Sequence, residues 1–137
     1  HADFMIGLPG ESRTTIEKTK KLIKEIKPSI LQVSIATPFP GTEFYEWAEM
    51  NGYLVTNDPN NYLDKFGRQK SVISYPWLSA EEISRAVDEI LREYYFSISY
   101  IPTLLRQVSR RHGLYELKRL LHSMKVYLSR TLTCRAS

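Results

Sequence analysis

Gly7-Leu8-Pro9-Gly10-Glu11 is the stretch of this 137-residue sequence best suited to chemistry, because its residue types build a ligand cradle rather than a plain connection. Glycines at 7 and 10 let the backbone take positive φ or approach a bound group closely. Pro9 fixes the turn. A helix that begins just after it, at Ser12 or Thr14, would offer free backbone N–H groups. The stretch is not a phosphate-binding Walker loop, since the Gly-Lys-Ser/Thr ending is missing, and it does not fit Gly-x-Gly-x-x-Gly. An ordinary strand-to-helix connection would use the same residues.

Other chemistries find less support. The sequence has one cysteine, Cys134, so a single chain can build neither a disulfide framework nor a cysteine-rich metal site. His1, His112 and His122 are scattered without ligand spacing, and neither a catalytic nor a metal-ligating set is expected. No apolar run reaches the roughly 18 residues of a membrane span and nothing resembles a signal peptide, so a cytoplasmic protein is expected. The net charge of +4 is uneven. From Ile101 onward Arg106, Arg110, Arg111, Lys118, Arg119, Lys125, Arg130 and Arg135 face a single acid, Glu116. Such a run suits a solvated helix face, an acidic partner, or nucleic acid.

The elements that would position the turn follow from periodicity. Residues 2–7 form a short apolar strand, with Phe4 and Ile6 on one face and Asp3, Met5 and Gly7 on the other. A helix follows, its apolar side made of Ile16, Thr19, Leu22, Ile23 and Ile26, with Thr14 and Glu17 at capping-box spacing and Pro28 as its stop. Ile30 to Ala36 is a second strand, with Leu31, Val33 and Ile35 opposite Ile30, Gln32, Ser34 and Ala36. Strand, helix and strand make a βαβ unit with parallel strands and a right-handed crossover. Thr37-Pro38-Phe39-Pro40-Gly41-Thr42 is a stiff loop that caps a helix from Glu43 to Met50, stopped near Gly52. Asn57 to Asn61 reads as loop, and Ser71 to Tyr75 as a short strand or extended arm. Ser79-Ala80-Glu81-Glu82 opens the longest helix, continuing through Ile98 until Pro102 interrupts it. Further helices are expected over 103–111 and 114–132. The aromatic residues Trp47, Tyr75, Trp77, Tyr94, Tyr95, Phe96 and Tyr100 are expected as core or interface anchors rather than base-stacking platforms.

IGLPGES, followed by TPFPGTEFYE, resembles the second half of a radical S-adenosylmethionine (SAM) barrel, and in particular the cobalamin-associated class that includes the anaerobic magnesium-protoporphyrin ester cyclases. The resemblance covers roughly residues 1–80. It implies an α/β fold: a partial (β/α) barrel, a parallel βαβα unit holding strands five and six in residues 1–78, followed by a helical, basic region in residues 79–137. It also implies that Met5 stands where an apolar side chain meets the adenine of SAM, Gly7 where the backbone approaches it, and Glu11 where the turn is held. With Pro9 and Gly10 shaping the turn, Gln32, Ser34 and Ala36 would line the barrel lumen as further cofactor-binding residues.

The sequence departs from that pattern in one respect: it has no CxxxCxxC motif to hold the four-iron, four-sulfur cluster that cleaves SAM reductively to a deoxyadenosyl radical. The implied protein is therefore one piece of a radical SAM oxidoreductase or methyltransferase-like enzyme acting on an organic substrate, with or without cobalamin, whose cluster half lies upstream. Alone, the piece is expected to be inactive. Strand edges cut from a barrel must be covered, by the rest of the barrel, by self-association or by a rearranged, mostly helical fold. The alternative is a non-enzymatic helical module whose basic C-terminal region binds nucleic acid or an acidic protein.

Overall fold

The computed structural model describes residues 1–65, 67–102 and 105. The chain divides after Phe96 into two units. In the first, strand β1 (Ala2–Ile6), helix α1 (Arg13–Ile26), strand β2 (Leu31–Ile35), helix α2 (Glu43–Met50) and helix α3 (Ala80–Tyr95) follow in order. This is the expected α/β fold, with β1 and β2 pairing in parallel from Ala2 opposite Leu31 to Ile6 opposite Ile35. The second unit opens with a 3-10 turn, Ile98–Tyr100. The helices expected over 103–111 and 114–132, the basic cluster and Cys134 lie outside the described residues, Leu105 excepted.

The alternation in the two strands sorts their side chains into two layers. Ile6, Leu31, Val33 and Ile35 are buried, and with Ile16 and Ile23 of α1 and Ile83, Val87 and Ile90 of α3 they form the core. The opposite face carries Asp3, Met5, Gln32 and Ser34, of which only Ser34 is even half-buried. Their register sets Asp3 beside Gln32 and Met5 beside Ser34. One face of the sheet is thus covered by helices, and among the described residues the other is bare.

Helix α1 takes the earlier of its two expected caps, two residues before Thr14. Ser12, extended at φ −148°, is the N-cap, and its capping box closes with Thr15 rather than joining Thr14 to Glu17. The preceding turn already redirects the chain, so Ser12 is the first residue free to cap. The helix ends at Lys27, in the left-handed region at φ 47°, one residue before Pro28. Helices α1 and α3 run side by side, tied by Arg13 to Glu82 at 2.7 Å, Lys20 to Glu89 at 3.5 Å and Lys24 to Glu93 at 3.0 Å. Each pair is 69 residues apart, so the helices are parallel and in constant register. Leu22 and Ile26, expected on the buried side, are 45% and 53% exposed. At 100° per residue they lie on the flank of α1 turned away from the α3 pairs.

Helix α2 has the bounds and the Thr42 cap that the sequence indicates. Within the expected 57–61 loop, Asp58 caps a 3-10 turn at Pro59–Tyr62. Residues 71–75 form an arm, not a sheet strand: single bridges join Leu54 to Ile73 and Tyr75 to Leu78. Its Val72, Ile73 and Tyr75 are buried. The Ser79–Glu82 capping box opens α3, which stops at Phe96, short of Ile98. Among the described residues no helix is long and apolar enough to cross a membrane.

Candidate functional site

The carboxyl ends of β1 and β2 lead into two turns of the same design. In Leu8-Pro9-Gly10-Glu11 the Glu11 N–H bonds the Leu8 carbonyl at 3.0 Å, and in Phe39-Pro40-Gly41-Thr42 the Thr42 N–H bonds the Phe39 carbonyl at 3.1 Å. Gly10 and Gly41 both have φ 85°. Proline second and a positive-φ glycine third are the signature of a type II turn. Each turn hands over to a helix cap, Ser12 and Thr42.

Gly7 lies beneath the first turn, and both of its backbone polar groups are used within the chain. A Glu11 carboxylate oxygen accepts its N–H at 3.4 Å, and the Tyr75 hydroxyl donates to its carbonyl at 2.8 Å. The other Glu11 oxygen accepts the Thr15 hydroxyl. Gly7 is buried at φ 95°, and a Cβ there would stand 3.1 Å from Ile83 Cγ2. Glycine is therefore required twice over, by the left-handed backbone and by α3 packing behind it. Trp77 Nε1 donates to the Glu11 carbonyl at 2.8 Å, so the turn is held at both ends by one short segment.

That segment is braced by aromatic contacts. Tyr75 and Trp77 stack at 5.5 Å with planes 6° apart, and Tyr53 meets Tyr75 edge-on at 5.4 Å. Burial pushes the Tyr75 phenol up to about 12, with the Glu11 carboxylate and Tyr53 adding to it. At neutral pH the phenol is a fixed donor to Gly7.

The eight residues singled out by sequence do not share one environment. Met5, Pro9, Gly10 and Gln32 are exposed, Ser34 and Glu11 half-buried, and Gly7 and Ala36 buried. Met5, Gln32 and Ser34 come together on the bare face, and among the described residues neither the Gln32 nor the Ser34 side chain has a hydrogen-bond partner. Ala36 is drawn into the packing, its N–H bonding the Ile6 carbonyl at 2.8 Å and its Cβ lying 4.0 Å from the site of a Gly7 Cβ. Thr37, at the strand end, is engaged as well, donating to the Ile35 carbonyl at 3.3 Å.

Gln69 and Tyr95 carry structural duties that no local pattern indicates. In the parallel register Leu31, Val33 and Ile35 turn their backbone groups to the outer edge of β2. At Ile35 the Gln69 side chain accepts the N–H at 3.0 Å and donates to the carbonyl at 3.2 Å. At Leu31 the Tyr95 hydroxyl accepts the N–H at 3.0 Å and donates to the carbonyl at 2.8 Å. Two side chains thus stand in for a neighbouring strand. The outer edge of β1, where Asp3 and Met5 turn theirs, has no strand beside it among the described residues. Nor, among those residues, is any group of three or more His, Cys, Asp or Glu side chains placed to hold a metal ion.

The chain is similar to a protein of Pyrococcus horikoshii named an uncharacterized methyltransferase, at 30% identity over 90% of this chain and 26% of that protein. A probable threonylcarbamoyladenosine tRNA methylthiotransferase of the same organism is 38% identical over 40% of this chain and 13% of its own length. The anaerobic magnesium-protoporphyrin IX monomethyl ester cyclase of Cereibacter sphaeroides is 26% identical over 56% of this chain and 16% of its own. The chain thus spans about a quarter or less of these relatives. No family model matches it, and no solved structure matches it significantly. In general terms the similarities support the radical SAM resemblance of the two turn motifs.

Proposed function

We propose that this chain is a segment of a cytoplasmic radical SAM enzyme, of the cobalamin-associated or anaerobic cyclase-like kind, and that it forms the nucleoside-side wall of the SAM site. The observation that carries this reading is the sheet face left bare by the described residues: an apolar Met5 and a Ser34 with no side-chain partner among those residues stand side by side where both strands run into Pro-Gly turns. Ligands of α/β folds are held at the carboxyl ends of strands. Met5, 53% exposed, offers apolar surface to a base, while Ser34 and Gln32 offer hydrogen bonds to hydroxyl or carboxylate groups.

The residues present fit one side of a nucleoside and do not fit an iron–sulfur cluster, for which the described residues hold no cysteine. No step is assigned through the cluster. Its ligands belong, on this proposal, to the upstream half of the parent enzyme. S-adenosylmethionine, when bound, would be the source of the deoxyadenosyl radical, with its electron coming from the cluster of the upstream half; the chain's own residues would orient and shield it, with Glu11 fixing the turn through Gly7 and Thr15.

The two sheet edges favour the same arrangement. With both ends of the outer β2 edge taken by Gln69 and Tyr95, the rest of the enzyme joins at β1, whose open edge and the apolar Leu22 and Ile26 flank of α1 suit a preceding strand and helix. The test is the reading frame upstream of His1. A CxxxCxxC motif in frame is expected; an authentic start codon at or just before His1 contradicts the proposal.

A further inference from the structure

We infer that Tyr75 and Trp77 are positioning residues for the Leu8–Glu11 turn, a role that rests on reading that turn as part of the nucleoside wall. Neither comes from the strands that make the wall. Both come from Tyr75-Pro76-Trp77-Leu78, a tight reverse turn in which Tyr75 N–H bonds the Leu78 carbonyl at 2.9 Å and Leu78 N–H bonds the Tyr75 carbonyl at 3.2 Å. Its two aromatic side chains reach back 68 and 66 residues along the chain, to the carbonyls of Gly7 and Glu11 that bracket the wall turn.

The geometry is that of a brace. Gly7 is pulled from one side by the Glu11 carboxylate on its N–H and from the other by the Tyr75 hydroxyl on its carbonyl, so the plane of that peptide is set. Gly7 is the hinge between Met5 and the turn, and at φ 95° glycine would otherwise tolerate many orientations. Ile83 closes the space behind it. The brace is itself rigid, because Val72, Ile73 and Tyr75 are buried and Ser71 Oγ donates to the Ile73 carbonyl at 2.9 Å. A loop ligand site held by a packed support is preorganised, and its affinity falls when the support is loosened even though no ligand contact is removed.

The experiment has two arms built on Tyr75→Phe, which keeps the ring and removes only the hydroxyl. In the 137-residue chain, amide hydrogen exchange of the peptide covering residues 5–12 is expected to quicken about tenfold while that of α3 stays unchanged. Unchanged exchange overturns the brace. In the parent enzyme, the dissociation constant for S-adenosylmethionine is expected to rise about tenfold with the thermal midpoint little altered. A parent that binds S-adenosylmethionine equally with Tyr75 or Phe overturns the positioning role alone. A wild-type parent that binds none overturns the wider reading, and the positioning role with it.

Discussion

Replacing Gly7 by alanine tests the packing that fixes the candidate site. Two costs add at this position. The backbone sits at φ 95°, where an L side chain is strained by about 1–3 kcal/mol. A Cβ would also stand 3.1 Å from Ile83 Cγ2, and Ile83 is fully buried, so it has little room to yield. Overpacking of that kind costs about 1–3 kcal/mol. Alanine stiffens the unfolded chain and returns about 0.4–1 kcal/mol. The net loss is therefore about 1–5 kcal/mol, centred near 3, a large share of the roughly 5–15 kcal/mol that holds a domain together. Gly10→Ala is the control, because Gly10 has nearly the same φ, 85°, with nothing within 4 Å of its missing Cβ. In urea denaturation, Gly7→Ala should lower the midpoint by about 1–2 M, and Gly10→Ala by about half as much or less. Equal losses would refute the argument that α3 dictates glycine at position 7.

Gln69→Ala combined with Tyr95→Phe should uncover backbone groups at both ends of the outer β2 edge and promote self-association, seen as a concentration-dependent sedimentation coefficient; a strictly unchanged monomer would show that those side chains do not guard the edge. Acid should loosen the contact between α1 and α3. The Ser79 backbone N–H and then Arg13 hold the Glu82 carboxyl below its ordinary 4.5, and the Lys24 hydrogen bond does the same for Glu93. A depressed carboxylate stabilises the fold above its unfolded value, and that contribution is lost as pH falls through the folded one. Asp88, raised by burial, works in the opposite sense. Glu82→Gln with Glu93→Gln should flatten the fall in urea midpoint below pH 4.5, and an unaltered slope would contradict the ladder's role.

What could be read from sequence was what repeats locally. The strand alternation of Phe4, Ile6, Leu31, Val33 and Ile35, the Thr42 cap and the Ser79–Glu82 box each depend on neighbours a few residues apart. The bare face followed from the same alternation. The support of the site did not, because Tyr75 to Gly7, Tyr95 to Leu31 and Gln69 to Ile35 are contacts across 68, 64 and 34 residues in which one polar atom meets a backbone group. Such contacts leave no period behind. Leu22 and Ile26 failed differently: their spacing marks an apolar side correctly, but the described residues cover only the part of it that α3 and the two strands reach. Gly7 carried a correct signal, since it takes the positive φ that glycine allows, and α3 adds a second demand that no local pattern shows, room for Ile83.

The central claim, that the carboxyl ends of β1 and β2 form a nucleoside wall, is tested most directly by photoaffinity labelling of the parent enzyme with an azido-adenine analogue of S-adenosylmethionine. The account predicts that adducts fall within residues 5–11, or at Ser34 on the neighbouring strand, and that unmodified S-adenosylmethionine competes them away. Competed labelling confined to other segments, with Met5 and the Leu8–Glu11 turn untouched, would contradict it.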